Sequence, residues 1–275
     1  MHRLKVVLWD VDGTLAETER DGHRVAFNRA FSECGVPWFW DVDAYGRLLD
    51  VTGGYERLLF DMASREDAPV EAQERERLAR LLHQVKNRHY AELVAAKEIE
   101  LRPGVRRLMQ ECAAEGIALA IATTTGRKNV DSLLAHELGP DWESLFAAVA
   151  CAEDAPVKKP DPSVYLVALE RVGNAASAAV AIEDSPNGLQ AAVRAGIRTV
   201  LTPSTYFRKG PFSAAALVVD NLNAAVSLRG REYERVEVRL LDELLESEPP
   251  SWPGARDQGM EAPSPTVSPS GTSSG

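Results

Sequence analysis

Cysteine is scarce in this chain: Cys34, Cys112 and Cys151 are the three in 275 residues, widely spaced and odd in number. That excludes a disulfide framework and the paired spacing of a cysteine metal site, and it fits reduced core thiols in a cytoplasmic protein. No apolar run approaches the ~20 residues of a membrane span. The first residues lead directly into a strand pattern where a secretory leader would show a cleavable apolar stretch. Positive charge is also short, with 31 Lys and Arg against 41 Asp and Glu and a formal net charge of -10. A general nucleic-acid binder needs a basic face for phosphates. The expectation is therefore a soluble, cytoplasmic monomer with no nucleic-acid or membrane partner. A local cluster of cations remains open, and with it an anionic small-molecule substrate.

What is present reads as alternating strands and helices. Leu4–Trp9 is a near-continuous apolar run, as in a parallel strand covered on both faces. Further buried strands are read at 117–125, 146–151, 178–184 and 197–202, and helices at 103–115, 128–138, 161–172 and 186–195. This order predicts an α/β fold, a doubly wound, Rossmann-like parallel sheet with right-handed crossovers. Residues 18–98 interrupt it with helical, highly charged sequence. The clearest stretch is 71–94, with Leu78, Leu81, Leu82 and Val85 at helical spacing. The expected organisation is a core of 1–17 and 99–230, an inserted helical cap of 18–98, and a C-terminal helical extension of 231–248. Residues 249–275, rich in Pro, Ser and Gly, read as a disordered tail.

In open α/β sheets, ligands bind beyond the carboxyl ends of the strands. Four such ends carry chemistry here: Asp10-Val11-Asp12-Gly13-Thr14, Thr123-Thr124-Thr125, Lys158-Lys159-Pro160, and Glu183-Asp184-Ser185. Taken singly, each has an ordinary explanation as a polar turn, a solvated lysine pair or a helix cap. A calcium loop is disfavoured because Gly13 is its fourth position, not its sixth, and Asp21 its twelfth, where a Glu is needed. Together they read as phosphoryl transfer. Asp10 is the candidate nucleophile, and Asp12, two residues on along the strand direction, the candidate general acid and base. A phosphate will not approach these carboxylates without a cation. Mg²⁺ on Asp10, the Asp12 backbone carbonyl and the Glu183-Asp184 pair, with Lys159 beside it, answers that need. The Thr123 hydroxyl and the Thr124 backbone N–H are placed to hold phosphate oxygens.

Those four motifs resemble the haloacid dehalogenase-like hydrolases over roughly residues 4–222, and the helical insertion resembles the small helical cap of their subfamily I. Within that superfamily, "DVDGTLAETERDGHRVAFN" and "TGGYERL" look most like the CbbY family. The resemblance implies a Mg²⁺-dependent phosphatase acting on xylulose 1,5-bisphosphate, an inhibitor of Rubisco in the Calvin cycle. Dehalogenases lack the second aspartate as proton donor, so Asp12 speaks for phosphate chemistry.

Specificity then belongs to the cap. Gly53 and Gly54 allow close backbone approach, and Arg57 is a bidentate anion ligand. His83, Lys86 and His89 share helical reach, and Glu17 is a candidate for sugar hydroxyls. By similarity to the CbbY cap, Glu17, Gly53, Gly54, Tyr55, Glu56, Arg57, His83 and Lys86 would contact the sugar and its distal phosphate. Tyr55 departs from that family, which often has Lys there. Arg127 and Asn129, just past the Thr loop, are candidates for the site mouth. Two other readings stay open: a β-phosphoglucomutase-like mutase or a general sugar-monophosphate phosphatase, and a non-catalytic phosphosugar-binding module.

Overall fold

The computed structural model describes residues 2–96 and 99–246; the segment read as a disordered tail lies outside them. In chain order, β1 (Val6–Trp9) leads through a π-helical turn at Glu19–His23 into α1 (Arg24–Glu33), α2 (Val42–Leu48), α3 (Gly54–Ala63) and α4 (Ala72–Ala95). The chain then runs α5 (Val105–Ala114), β2 (Ala118–Ala122), α6 (Arg127–Leu138), β3 (Ala148–Ala150), α7 (Ser163–Val172), β4 (Ala179–Glu183), α8 (Pro186–Arg194) and β5 (Arg198–Leu201). It ends with β6 (Leu217–Val218), β7 (Val226–Leu228), β8 (Arg231–Tyr233) and α9 (Val238–Leu244). Among the described residues no helix is long and apolar enough to cross a membrane.

Six strands form one parallel sheet in the order β3-β2-β1-β4-β5-β6, with β1 at its centre. All four residues of β1 are buried, as a strand covered on both faces requires. The side chains alternate. Val7, Trp9, Ile121, Ile182 and Val200 enter the apolar layer on one side of the sheet, and Val6, Leu8, Ala120, Ala122 and Ala181 the layer on the other. The doubly wound parallel sheet is thus what the alternation of elements predicted. The register matters for function: Trp9 pairs with both Ile121 and Ile182. Asp10, Ala122 and Glu183 therefore emerge level at the carboxyl edge, with Thr123 and Asp184 one step beyond.

Helices α1–α4 (below, the cap) pack around a cluster of their own. Phe27, Phe31, Trp38, Trp40, Tyr45, Leu58, Met62 and Leu82 are all buried in it. Here the expected face of α4 is rotated. Leu81 is exposed, and the buried stripe runs Ala79, Leu82, Lys86, Tyr90, Leu93. That stripe carries a lysine into the interior, which its charge concealed from an apolar periodicity count.

The C-terminal segment also departs from expectation. Residues 231–248 begin as a strand: β7 and β8 form an antiparallel hairpin in which Leu228 pairs with Arg231. Its two-residue turn, Arg229-Gly230, has φ of 51° and 78°, the left-handed pair that a type I′ hairpin turn requires. Helix α9 follows, burying Val238, Leu240, Leu241 and Leu244 in the main core. It is tied down twice: the Val238 N–H donates to Glu111 Oε1 at 2.8 Å, and Asp242 Oδ1 accepts from the Leu4 N–H at 2.8 Å. Leu241→Ala should accordingly destabilise the protein by roughly 2–5 kcal/mol, the usual range for emptying a buried leucine site. Urea unfolding checks this, and a loss below about 1 kcal/mol would show that α9 is peripheral.

Candidate active site

The carboxyl edge of the sheet gathers three carboxylates. Asp10, Glu183 and Asp184 are all buried and can each offer an oxygen within 4.8 Å of the others. Lys159 lies among them, its Nζ donating to Asp10 Oδ1 at 2.5 Å and to Glu183 Oε1 at 2.7 Å. Two neighbours fix this arrangement. The Tyr165 hydroxyl donates to Glu183 Oε1 at 2.6 Å, and its ring lies 5.0 Å from the Lys159 ammonium. Gly13, at φ 86°, leaves room where a Cβ would run into the Asp184 carboxylate. Ser185 takes the capping role, accepting the Gly188 N–H of α8 at 3.1 Å, so Asp184 is not used as the helix cap.

Charge in this cluster is incompletely balanced. Burial pushes the Asp10 carboxyl up; Lys159 opposes the shift, while Glu183 and Asp12 add to it. Burial, with Asp10 and Glu183 nearby, likewise holds Asp184 well above the usual carboxylate range. One ammonium is not enough for three buried carboxylates. Their all-oxygen donor set fits a hard divalent cation such as Mg²⁺, which would supply the missing charge.

Asp12 is held differently. Its Oδ1 accepts from the Thr18 hydroxyl at 2.6 Å and lies 3.0 Å from His23 Nε2; its Oδ2 accepts from the Thr125 hydroxyl. Burial alone would raise this carboxyl, but His23, Thr125 and Thr18 outweigh it and keep it well below the usual range. The side chain of Asp12 is thus no part of the metal-binding cluster, and only its backbone is left for that role. His23 is itself stacked on Tyr90, with ring centroids 4.2 Å apart.

Between this edge and the cap lies a cleft of about 440 Å³. The structure brings Asp10, Asp12, Gly53, Gly54, Arg57, His83, Lys86, Thr123, Thr124, Asn129, Lys159 and Asp184 to its walls. Arg57 is buried and held by Tyr45: its Nη1 donates to the Tyr45 hydroxyl at 2.7 Å, and that hydroxyl donates to Glu19 Oε2 at 2.5 Å. Burial lowers Lys86 to about 8, with Asp12 and Glu19 resisting and Arg57 reinforcing the shift. Burial beside Lys86 and Lys158 lowers His83 to about 4, leaving a neutral imidazole.

Four expected contacts are not on those walls. Glu17 stands 3.6 Å from Arg102 and accepts the Thr205 N–H at 3.4 Å, held by the core instead of the cleft. Tyr55 packs on the cap cluster with Arg80 5.6 Å above its ring. Arg127 is taken by Asp131 and Glu143, each at 2.7 Å, and lies against Trp142. Glu56 is engaged by Lys158 at 2.6 Å. His89, too, is bound elsewhere, by Glu33 and Glu92.

Other residues that shape the site were not singled out from sequence. Glu19, Thr18, Thr125, Tyr45 and Tyr165 position the groups above. Arg102, buried where the chain returns from the cap, donates to the carbonyls of Gly13, Thr202, Pro203 and Asp220. Its backbone N–H donates to the Leu15 carbonyl at 2.7 Å, so this one residue ties the Asp10–Thr14 loop to the linkers of the cap.

With this geometry in place, comparison with known proteins identifies the family. The model of the haloacid dehalogenase-like hydrolases matches residues 4–196. The chain belongs to that family. It is an enzyme, and its CbbY relatives mark it as a phosphatase. The plasmid-encoded protein CbbY of Cupriavidus necator is 46% identical over 219 residues, covering 80% of this chain and 86% of that protein. CbbY of Rhodobacter capsulatus is 42% identical, covering 82% and 96%. A crystal structure of a CbbY mutant from Rhodobacter sphaeroides in complex with xylulose-(1,5)bisphosphate is similar at TM-score 0.74 and 38% identity, covering 79% of this chain and 94% of that one.

Lys86 gives a test of the cleft. At pH below about 8 its ammonium faces the cleft charged, and above that it is neutral. For a phosphosugar, kcat/KM should fall as pH rises through about 8, and Lys86→Arg should remove that limb because a guanidinium stays protonated. An alkaline limb unchanged in Lys86→Arg would assign it to another group.

Proposed function

We propose that this enzyme is a Mg²⁺-dependent phosphatase that hydrolyses a sugar bisphosphate, with xylulose 1,5-bisphosphate as the substrate, through an aspartyl-phosphate. The observation that carries the reading is the pairing of two cationic regions across one cleft. Lys159 stands at the nucleophile, and Arg57 and Lys86 stand on the cap. A monophosphate needs the first region alone; a bisphosphate uses both. The relative crystallised with xylulose-(1,5)bisphosphate supports the choice of sugar.

In this reading, a carboxylate oxygen of Asp10 attacks phosphorus, the bond from phosphorus to the sugar oxygen breaks, and Asp12 delivers a proton to that oxygen. Asp12 then takes a proton from water as the water oxygen attacks the same phosphorus, which frees Asp10 and orthophosphate. Lys159 fixes the Asp10 carboxylate through Oδ1. The Thr123 hydroxyl and Thr124 N–H receive the phosphate oxygens at the loop that opens α6. Asp10, the Asp12 carbonyl, Glu183 and Asp184 would hold Mg²⁺, which when bound would supply positive charge for the phosphate. Asp12 accepts from Thr18 and Thr125 and lies against His23, so it must take up a proton before the first step, and loosening these contacts would ready it to do so; the attacking water returns that proton in the second step.

The test is orthophosphate release from a panel of sugar mono- and bisphosphates with Mg²⁺. Xylulose 1,5-bisphosphate should lead it, and ribulose 1,5-bisphosphate, which differs at one carbon, should be poor. Chelation with EDTA should abolish turnover. Asp10→Asn should lower kcat by at least about a thousandfold, roughly 4 kcal/mol of barrier, while the protein still folds. Turnover of the Asn variant within about tenfold of wild type would remove Asp10 from its role. Conversion of β-glucose 1-phosphate to glucose 6-phosphate without free phosphate would establish a mutase.

A further inference from the structure

Lys158 and Lys159 are adjacent, yet they serve different partners. Lys159 is buried against Asp10 and Glu183, whereas Lys158 lies on the cleft wall and reaches across to the cap, where its Nζ meets Glu56 Oε2 at 2.6 Å. Glu56 sits in the first turn of α3, just after the Gly53-Gly54 loop. The ion pair lies directly over Gly53, which has φ of 99°; a Cβ there would run into both the Glu56 carboxylate and the Lys158 ammonium. The loop is shaped to let the Glu56 carboxylate, itself off the cleft wall, reach the Lys158 ammonium that lines it beside Gly53. The two side chains are 30% and 43% exposed, so the pair contributes little to stability and is easily exchanged. A phosphate monoester, with a charge near −2 and three acceptor oxygens, is a stronger partner for an ammonium than one carboxylate.

We infer that Glu56 is a placeholder on Lys158, occupying the position taken by the non-reacting phosphate of a bisphosphate substrate, and that Lys158 is thereby a specificity-determining residue. This rests on the bisphosphate reading above. When the second phosphate enters, it displaces the Glu56 carboxylate from Lys158. A monophosphate leaves the pair intact and gains nothing from it. Neutral His83 stands beside the exchange and adds no competing positive charge.

The decisive quantity is the ratio of kcat/KM on a ketopentose bisphosphate to that on the monophosphate of the same sugar. Lys158→Met should lower this ratio about tenfold, as expected for one lost charge-assisted contact at a partly exposed site. Lys158→Arg should keep it. Glu56→Gln should move it the other way, raising the ratio severalfold because Lys158 no longer has a competitor. Thermal melts confirm that each variant is folded, and the ratio cancels any loss common to both substrates. Equal falls in Lys158→Met and Glu56→Gln would make the pair a structural clasp and overturn the inference, as would an unmoved ratio in both. If wild type favours bisphosphates and the variants do not alter that preference, this inference alone fails. If wild type treats both substrates alike, the bisphosphate reading falls with it.

Discussion

The Lys159 ammonium, shared between Asp10 and Glu183, is the contact on which the site depends. Three carboxylates buried at one sheet edge repel one another, and each is expensive to keep charged away from water. Burial by itself would pull the Lys159 proton off; Asp10 and Glu183 outweigh it and hold that ammonium well above its ordinary range. Such a pair is weak evidence for stability, because desolvation offsets most of the attraction. Its value is positional. Removing the lysine would leave unpaired buried charge, a loss of about 3–5 kcal/mol in comparable pairs. Tyr165 and Gly13 follow from the same need, one orienting Glu183 and the other letting Asp184 come close.

Much of this was legible in the chain because a parallel sheet converts sequence order into geometry. Once β1 and β4 are central neighbours in register, Asp10 and Glu183 have to emerge side by side, and the motif positions at strand ends state this directly. The strands themselves were visible as apolar runs. The cap was legible as a helical block, but the contacts inside it were not. Glu17 is the glutamate that the sequence points to, yet it sits on the linker and is taken by Arg102 and Thr205, whereas Glu19, which carries no sequence signal, belongs to the π-helical turn and lines the cleft. That turn is invisible to a 3.6-residue periodicity. Lys86 was flagged by charge while the face of α4 was misassigned for the same reason: a buried lysine breaks the apolar stripe. Arg102 and Tyr165 carried no local signal at all. Their partners lie far away along the chain, at Gly13 and Thr202 for one and at Glu183 for the other.

The segments that join cap and core are tied to the sheet edge that carries Asp10 and Asp12. The chain leaves the core near Leu15 and returns at Arg102, and these two residues are hydrogen-bonded to each other. The Arg102 side chain then grips the nucleophile loop and the end of β5. Arg102 thereby joins the chain returning from the cap to the backbone that carries Asp10 and Asp12. Asp12 is connected to the cap more directly, through Thr18 and His23. Asp10 is thus anchored within the core by Lys159, while Asp12 is held from both sides, by Thr125 on the core and by Thr18 and His23 on the segment that leads into the cap.

Depth sorts the basic groups of the cleft by what they can recognise. Lys159, wedged between carboxylates, stays charged across the whole physiological range. Arg57, buried with Tyr45 and Glu19, also stays charged, and its planar fork is pre-oriented by those neighbours. Lys86 sits near about 8, where its charge is retained when an anion arrives and is easily given up when the cleft is empty. His83, at about 4, is neutral, with one ring nitrogen to donate and one to accept. That pair of functions matches a hydroxyl, which also donates and accepts. A row of charged groups would hold any polyanion. A neutral imidazole beside Lys86 and Lys158 adds a hydroxyl-compatible partner to these cations, and this combination is the physical ground on which the proposed sugar bisphosphate rests.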